Sequence, residues 1–155
     1  MPDVSAADFD SGLGSLVSGL NREALMNLPR ILIADDEEGI RESLSLILGE
    51  DYDLAFAVDG QETLAKLTSE HFALALLDIK MPKLDGLEVM KRLKERGITA
   101  PILVLTAYQS IELAKEAVKL GALDYLPKPF ERDQILEAVR GALGPSASET
   151  KRTAV

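Results

Sequence analysis

From Arg30 to Leu143 the chain alternates between two hydrophobic patterns. Short apolar runs occupy 30–34, 53–58, 73–77, 101–105 and 123–126. Their length and their turn-like flanks suit buried strands. Between and after them, core-facing candidates recur three and four residues apart: Ile40, Leu44, Ile47 and Leu48; Thr63, Leu64 and Leu67; Leu87, Met90 and Leu93; Leu113, Ala117 and Leu120; Ile135, Leu136 and Val139. That spacing predicts a helix behind each strand. Gly97, Gly121 and Gly141 stand at or near the ends of those helices, as stop signals do. Five strands alternating with five helices predict an α/β domain whose parallel sheet is covered on both faces. Right-handed crossovers leave few topologies, and no internal repeat is visible.

The flanks read differently. Residues 1–28 are rich in Gly, Ser and Ala, with Phe9, Leu13, Leu16, Val17 and Leu20 at helical spacing. Gly12, Gly14 and Gly19 weaken such a helix by about 1 kcal/mol each. The segment is therefore expected to be a marginal helix that forms only where it docks, closed by Pro29. Residues 144–155, beginning Gly144-Pro145-Ser146, read as a flexible tail, which leaves 29–143 as the folded domain.

Composition narrows the function. The chain has 155 residues, 46% of them hydrophobic, with no Trp, so the core rests mainly on Leu, Ile, Val and Ala. A net charge of -9 argues against direct nucleic-acid binding, which needs Lys and Arg to neutralise phosphates. With no Cys, disulfides, thiolate nucleophiles and zinc-thiolate sites are excluded. The apolar runs are too short to cross a bilayer, and the acidic start (Asp3, Asp8, Asp10) does not resemble a secretory signal. The expected compartment is the cytoplasm.

Ligands of doubly wound sheets bind beyond the carboxyl ends of the strands. Asp35 and Asp36 follow the first run, Asp78 the third, Thr106 the fourth, and Lys128 with Pro129 the fifth. Three carboxylates gathered there need a counter-charge. Oxygen ligands without His or Cys favour Mg2+ or Mn2+ over zinc. Lys128 adds a positive charge suited to phosphate, and Thr106 a hydroxyl donor. A carboxylate in this setting can also accept a phosphoryl group, and Asp78, alone after Ala73-Leu74-Ala75-Leu76-Leu77, is the candidate nucleophile.

With these residues assembled, the chain resembles the receiver domain of two-component response regulators. The matching pieces are ILIADDEE at the first strand, LALLDIKMPKLDGLEVM around Asp78, PILVLTAY at the fourth and GALDYLPKPF at the fifth. They stand in family order over roughly residues 29–143, with wording closest to the nitrogen-regulation type. The resemblance implies a flavodoxin-like (βα)5 fold with strand order 2-1-3-4-5. It implies that Asp78 takes a phosphoryl group from a sensor histidine kinase or phosphotransfer protein. Asp36 would be a direct metal ligand, and Asp35 would act mainly through metal-bound water. The backbone carbonyl of Lys80 would complete the shell. Lys128 would contact the phosphoryl group, and the peptide bond before Pro129 would be cis. Thr106 and Tyr125 would move together as the switch, reshaping the surface of the fourth helix, fifth strand and fifth helix. Lys80 and Tyr108 would flank the path of the hydrolytic water and modulate dephosphorylation, plain solvent exposure being the other reading. Such a chain is a signalling domain rather than an enzyme acting on other substrates.

Other residues have plainer readings. An isolated Asp35-Asp36 pair would simply cap the first helix. Glu37 and Glu38 read as first-turn acids favourable to the helix dipole, with a water-mediated role in the site as the alternative. Asp85-Gly86 reads as a cap and tight turn into the third helix. His71, the only His, reads as an exposed loop residue. The family's charged dimer contacts are incomplete, since Leu123 and Ala138 stand where an acid and a base are expected. A homodimer through that face would be more apolar, using Tyr125, Leu123 and Ile111. The same face is the expected contact for a downstream partner or a fused output domain. Two competing readings are a haloacid dehalogenase type phosphatase and an adaptor independent of phosphorylation. The first expects an Asp where Lys80 stands, and the intact Asp36, Asp78, Thr106 and Lys128 argue against the second.

Overall fold

The computed structural model describes residues 27–144. The expectations for 1–28 and 144–155 therefore fall almost wholly outside the described residues. The elements alternate as β1 (Arg30–Ala34), α1 (Glu38–Leu48), β2 (Asp53–Ala57), α2 (Gly60–Ser69), β3 (Leu74–Leu77), α3 (Gly86–Glu95), β4 (Ile102–Thr106), α4 (Ile111–Lys119), β5 (Asp124–Pro127) and α5 (Arg132–Leu143). All strand pairs are parallel, in the order β2-β1-β3-β4-β5. This is the doubly wound sheet anticipated from the alternating periods and the family resemblance.

Side chains of a strand alternate between faces, so the three central strands feed two cores. Leu32, Ala34, Ala75, Leu77, Ile102 and Val104 pack with Leu64, Leu67, Val89, Met90, Leu93 and Ala117 from α2, α3 and α4. Ile31, Ile33, Leu74, Leu76, Leu103 and Leu105 pack with Leu44, Leu48, Ile135, Leu136 and Val139 from α1 and α5. β3 is buried along its whole length, which explains why its sequence is continuously apolar.

Local signals set the helix ends. Asp59, Asp85 and Ser110 cap α2, α3 and α4 by accepting from the backbone N–H three residues on. Asp85 is thus the cap expected of it. One stop signal is corrected. Gly141 lies inside α5, and the chain leaves that helix at Gly144, whose φ of 89 reaches a region closed to most side chains.

Candidate functional site

The strand ladders carry two acids to adjacent tips. The Asp35 N–H donates to the Ala57 carbonyl at 3.0 Å, and the Asp78 N–H donates to the Ala34 carbonyl at 3.0 Å. Each therefore continues its strand by one residue, with its side chain over the carboxyl edge of the sheet. Lys128 reaches the same edge from β5, its N–H donating to the Thr106 carbonyl at 2.8 Å. The Lys128–Pro129 peptide is cis.

These groups converge in a buried cluster. Lys128 Nζ lies 2.6 Å from Asp35 Oδ2, 3.3 Å from Asp78 Oδ2 and 3.5 Å from Glu37 Oε1. Asp35 and Asp78 are 2% and 4% exposed, so neither carboxylate can rely on water for its charge. Burial first, and then the charge of Asp35, push the Asp78 carboxyl up to about 6. Burial also raises Asp35, against the opposing hydrogen bond from Lys128. Burial alone would depress Lys128, but the Asp35 hydrogen bond and the charges of Asp35 and Asp78 outweigh it and hold the amine above its ordinary value.

The first acidic run divides by side-chain direction. Asp35 points inward, and its Oδ1 also accepts the Glu37 N–H at 2.9 Å, so it braces the start of α1 as well as the site. Asp36, one residue on, is exposed. Glu37 is exposed as well, but its carboxylate stands 3.5 Å from Lys128 Nζ at the rim of the site. Oxygens of Asp35, Glu37 and Asp78 lie within 4.8 Å of one another, and Asp36 is not among them. Successive residues of extended chain face opposite ways, which accounts for the skip. Glu37 thus stands at the N-terminus of α1 with its carboxylate at the exposed rim of the site. Its spacing of two from Asp35 was the only sequence signal for that placement. The donor set is all oxygen, with Asp35 and Asp78 buried and Glu37 at the exposed rim, which suits a hard divalent cation.

Thr106, wholly buried at the end of β4, is linked to Tyr125 through one residue. The Tyr108 N–H donates to Thr106 Oγ1 at 3.1 Å, and the Tyr125 hydroxyl donates to the Tyr108 carbonyl. The Tyr108 ring in turn carries the Lys80 ammonium 5.3 Å from its centroid. Lys80 and Tyr108 wall a cleft of about 560 Å³ beside the site. That backbone link through Tyr108 had no sequence signal. Tyr125 stays half-buried and hydrogen-bonds away from the carboxylates. His71 is exposed. Gly86 closes the loop after Asp78, where a Cβ would sit 2.4 Å from the Asp78 carbonyl oxygen. That contact, rather than an unusual φ, is what requires glycine there.

Comparison with known proteins gives a consistent picture. Residues 31–140 match the model of the response regulator receiver domain. Over 115 residues the chain is 43% identical to the response regulator MprA of Mycolicibacterium vanbaalenii, covering 74% of this chain and 50% of that protein. The chain thus spans about half the length of the curated relatives it matches. A CheY-like receiver domain protein from Methanospirillum hungatei superposes with a TM-score of 0.71 at 35% identity, over 76% of this chain and 94% of that one. The receiver domain of the Francisella response regulator 1452 gives 0.70 at 33% identity, over 74% and 96%. With the fold, the strand-end acids and these matches in agreement, the chain belongs to the response regulator receiver domains.

Proposed function

We propose that this receiver accepts a phosphoryl group on Asp78 from a phosphohistidine of a sensor histidine kinase or phosphotransfer protein, in a Mg2+- or Mn2+-dependent reaction. Its α4–β5–α5 face would then control a protein partner or a fused output domain. The observation that carries the reading is the burial of Asp78 at the strand end, a carboxylate 4% exposed with a buried amine 3.3 Å away.

The chemistry follows from what the side chains do. A carboxyl titrating near 6 is largely ionised at neutral pH, so an Asp78 oxygen can attack phosphorus while the bond to the donor's imidazole nitrogen breaks. Lys128 holds positive charge beside the oxygens that gather negative charge in transfer. Thr106 Oγ1 accepts from Tyr108, which leaves its own hydrogen available to a phosphoryl oxygen. Turning to make that bond loosens the Tyr108 contact and, through it, the Tyr125 hydroxyl on β5. A divalent cation, when bound, neutralises carboxylates and transferred phosphate. Asp35, Asp78, Asp36 and the Lys80 carbonyl are the ligands we assign to it, with Glu37 the further carboxylate within reach. No contact with nucleic acid or membrane is required, and among the described residues no helix is long and apolar enough to cross a bilayer. We place the reaction in the cytoplasm.

The test is incubation with acetyl phosphate and Mg2+, comparing wild type with Asp78→Asn by intact mass. One added phosphoryl group in the wild type and none in the variant is expected. Equal labelling, or no labelling of either chain, refutes the reading.

A further inference from the structure

The loop from Ile79 to Asp85 carries Lys80 past the site and is tied down at two places. At its base, the Gly86 N–H donates to the Ile79 carbonyl at 2.8 Å. At its tip, the Leu84 N–H donates to the Pro82 carbonyl at 2.7 Å, closing a turn around Lys83. Lys83 has a φ of 69, and no other non-glycine residue among those described has a positive value. Such a bond around a positive φ marks the rare, strained form of the γ-turn. This tip rests on the start of α2. The Gly60 N–H donates to the same Pro82 carbonyl at 3.2 Å, and Lys83 Nζ lies 3.4 Å from Asp59 Oδ2. The neighbouring acids are turned elsewhere: Asp85 caps α3, and Glu62 Oε1 accepts the Val58 N–H at 2.8 Å. A Cβ on Gly60 would stand 1.8 Å from the Leu84 carbonyl oxygen, so helix and loop meet backbone to backbone. The start of α2 is itself fixed. Asp59 Oδ1 accepts the Glu62 N–H at 2.8 Å, and the Asp59 carbonyl accepts the hydroxyl of the wholly buried Thr63 at 2.7 Å.

We infer that Asp59 and Gly60 are positioning residues for the site: the N-terminus of α2 is a seat that holds the loop 79–85, and Lys80 with it, in its strained form. Asp59 uses one carboxylate oxygen to fix the helix and the other to hold the cation of the strained residue. Glycine would adopt a positive φ without strain. Lysine at that position lacks this ease but carries a charge that Asp59 can hold. Strained residues persist only where their surroundings over-determine them, and here the surroundings are Asp59, Gly60 and the Pro82 carbonyl. The Lys83 side chain is 59% exposed, so the ion pair is weak by itself. The backbone contact at Gly60 therefore carries the larger share. Lys80 stands between the two ties, and a loop released at its tip would swing Lys80 about its base. The consequence for a metal rests on the proposed function, in which the Lys80 carbonyl is a ligand. The seat itself does not.

Two substitutions loosen the seat and keep the helix. Asn caps a helix as well as Asp does, so Asp59→Asn removes only the charge that faces Lys83. Ala is a better helix former than Gly, so helix propensity alone would favour Gly60→Ala, whereas the seat predicts harm. In the full chain, amide exchange by NMR and melting are measured in EDTA, and Mg2+ affinity by calorimetry without a phosphodonor. Exchange at Gly60 and Leu84 should quicken, and the Mg2+ Kd rise, about two- to fivefold in Asp59→Asn, as an exposed ion pair allows. Both should change about tenfold in Gly60→Ala, where a methyl meets backbone. The Tm of Asp59→Asn should stay within about 2 °C of wild type, since the cap is kept. In a Lys83→Gly background, where the turn needs no holding, Asp59→Asn should shift neither exchange nor affinity. Unchanged exchange in both variants, or an equal effect of Asp59→Asn with and without Lys83, overturns the seat. Wild-type Mg2+ binding that both variants leave unchanged overturns the positioning role alone. A wild type that takes up no Mg2+ overturns that role together with the proposed function.

Discussion

Asp78→Asn should make the metal-free protein more stable. Asp78 is 4% exposed, beside Asp35, and titrates at about 6 instead of 3.8. A folded-state value above the unfolded one means the native state binds the proton more tightly. The ionised carboxylate therefore costs stability, fully so above about pH 6, and the cost fades as pH falls toward 3.8. About two units at 1.36 kcal/mol each set a ceiling near 3 kcal/mol. The variant also removes one of the charges that hold Lys128 ionised, although the 2.6 Å partner Asp35 remains. A net gain of about 2 kcal/mol at pH 8 follows, or roughly 8 °C in Tm for a domain of this size. Urea unfolding in EDTA at pH 8, 6 and 4.5 measures it, with an unchanged m-value as the check on a common mechanism. The gap should narrow with acid. Saturating Mg2+ should also narrow it, because a ligand of the native wild type stabilises by mass action. Equal stability at pH 8, or a gap that does not change with pH, refutes the electrostatic argument.

Other tests address the remaining parts. Lys128→Ala leaves two buried carboxylates without their cation and should cost about 3–5 kcal/mol at pH 8. The loss should shrink toward pH 5 as the carboxyls protonate, and denaturant titrations at the two pH values check both size and sign. Gly86→Ala drives a methyl against the Asp78 carbonyl and should destabilise by about 1–3 kcal/mol. It should also slow labelling by acetyl phosphate, and wild-type values for both would show that the loop yields freely. Lys80→Ala and Tyr108→Ala each open the wall beside Asp78 and should shorten the phosphoryl half-life several-fold, followed as loss of the added mass. Unchanged half-lives in both would reduce the pair to surface residues. Asp36→Asn and Glu37→Gln separate the two neighbours of Asp35. A larger loss of Mg2+ affinity by calorimetry is expected for Asp36→Asn, and the reverse order would make Glu37 the ligand.

The architecture was legible because it is written locally. A buried parallel strand must be apolar throughout, and a helix on its face must repeat near 3.6. Runs such as Leu74 to Leu77 and the Leu87, Met90, Leu93 series therefore declared themselves without knowledge of their partners. The rule that ligands bind at strand ends then singled out Asp35, Asp36, Asp78, Thr106 and Lys128, and the structure brings the four strand ends that carry them to one edge, with Asp36 exposed. What the tertiary structure alone decided is where side chains point. The 2.6 Å contact between Lys128 and Asp35 joins residues 93 apart and depends on strand order. That the exposed Glu37 brings its carboxylate to the rim of the site, and Asp36 does not, depends on where the β1 ladder ends, a matter of one residue. The link from Thr106 to Tyr125 runs through the backbone of Tyr108, and a backbone amide carries no mark in the sequence. Periodicity records which face of an element is buried. Convergence at a point is set by register, twist and the last hydrogen bond of each strand, which belong to the assembled sheet.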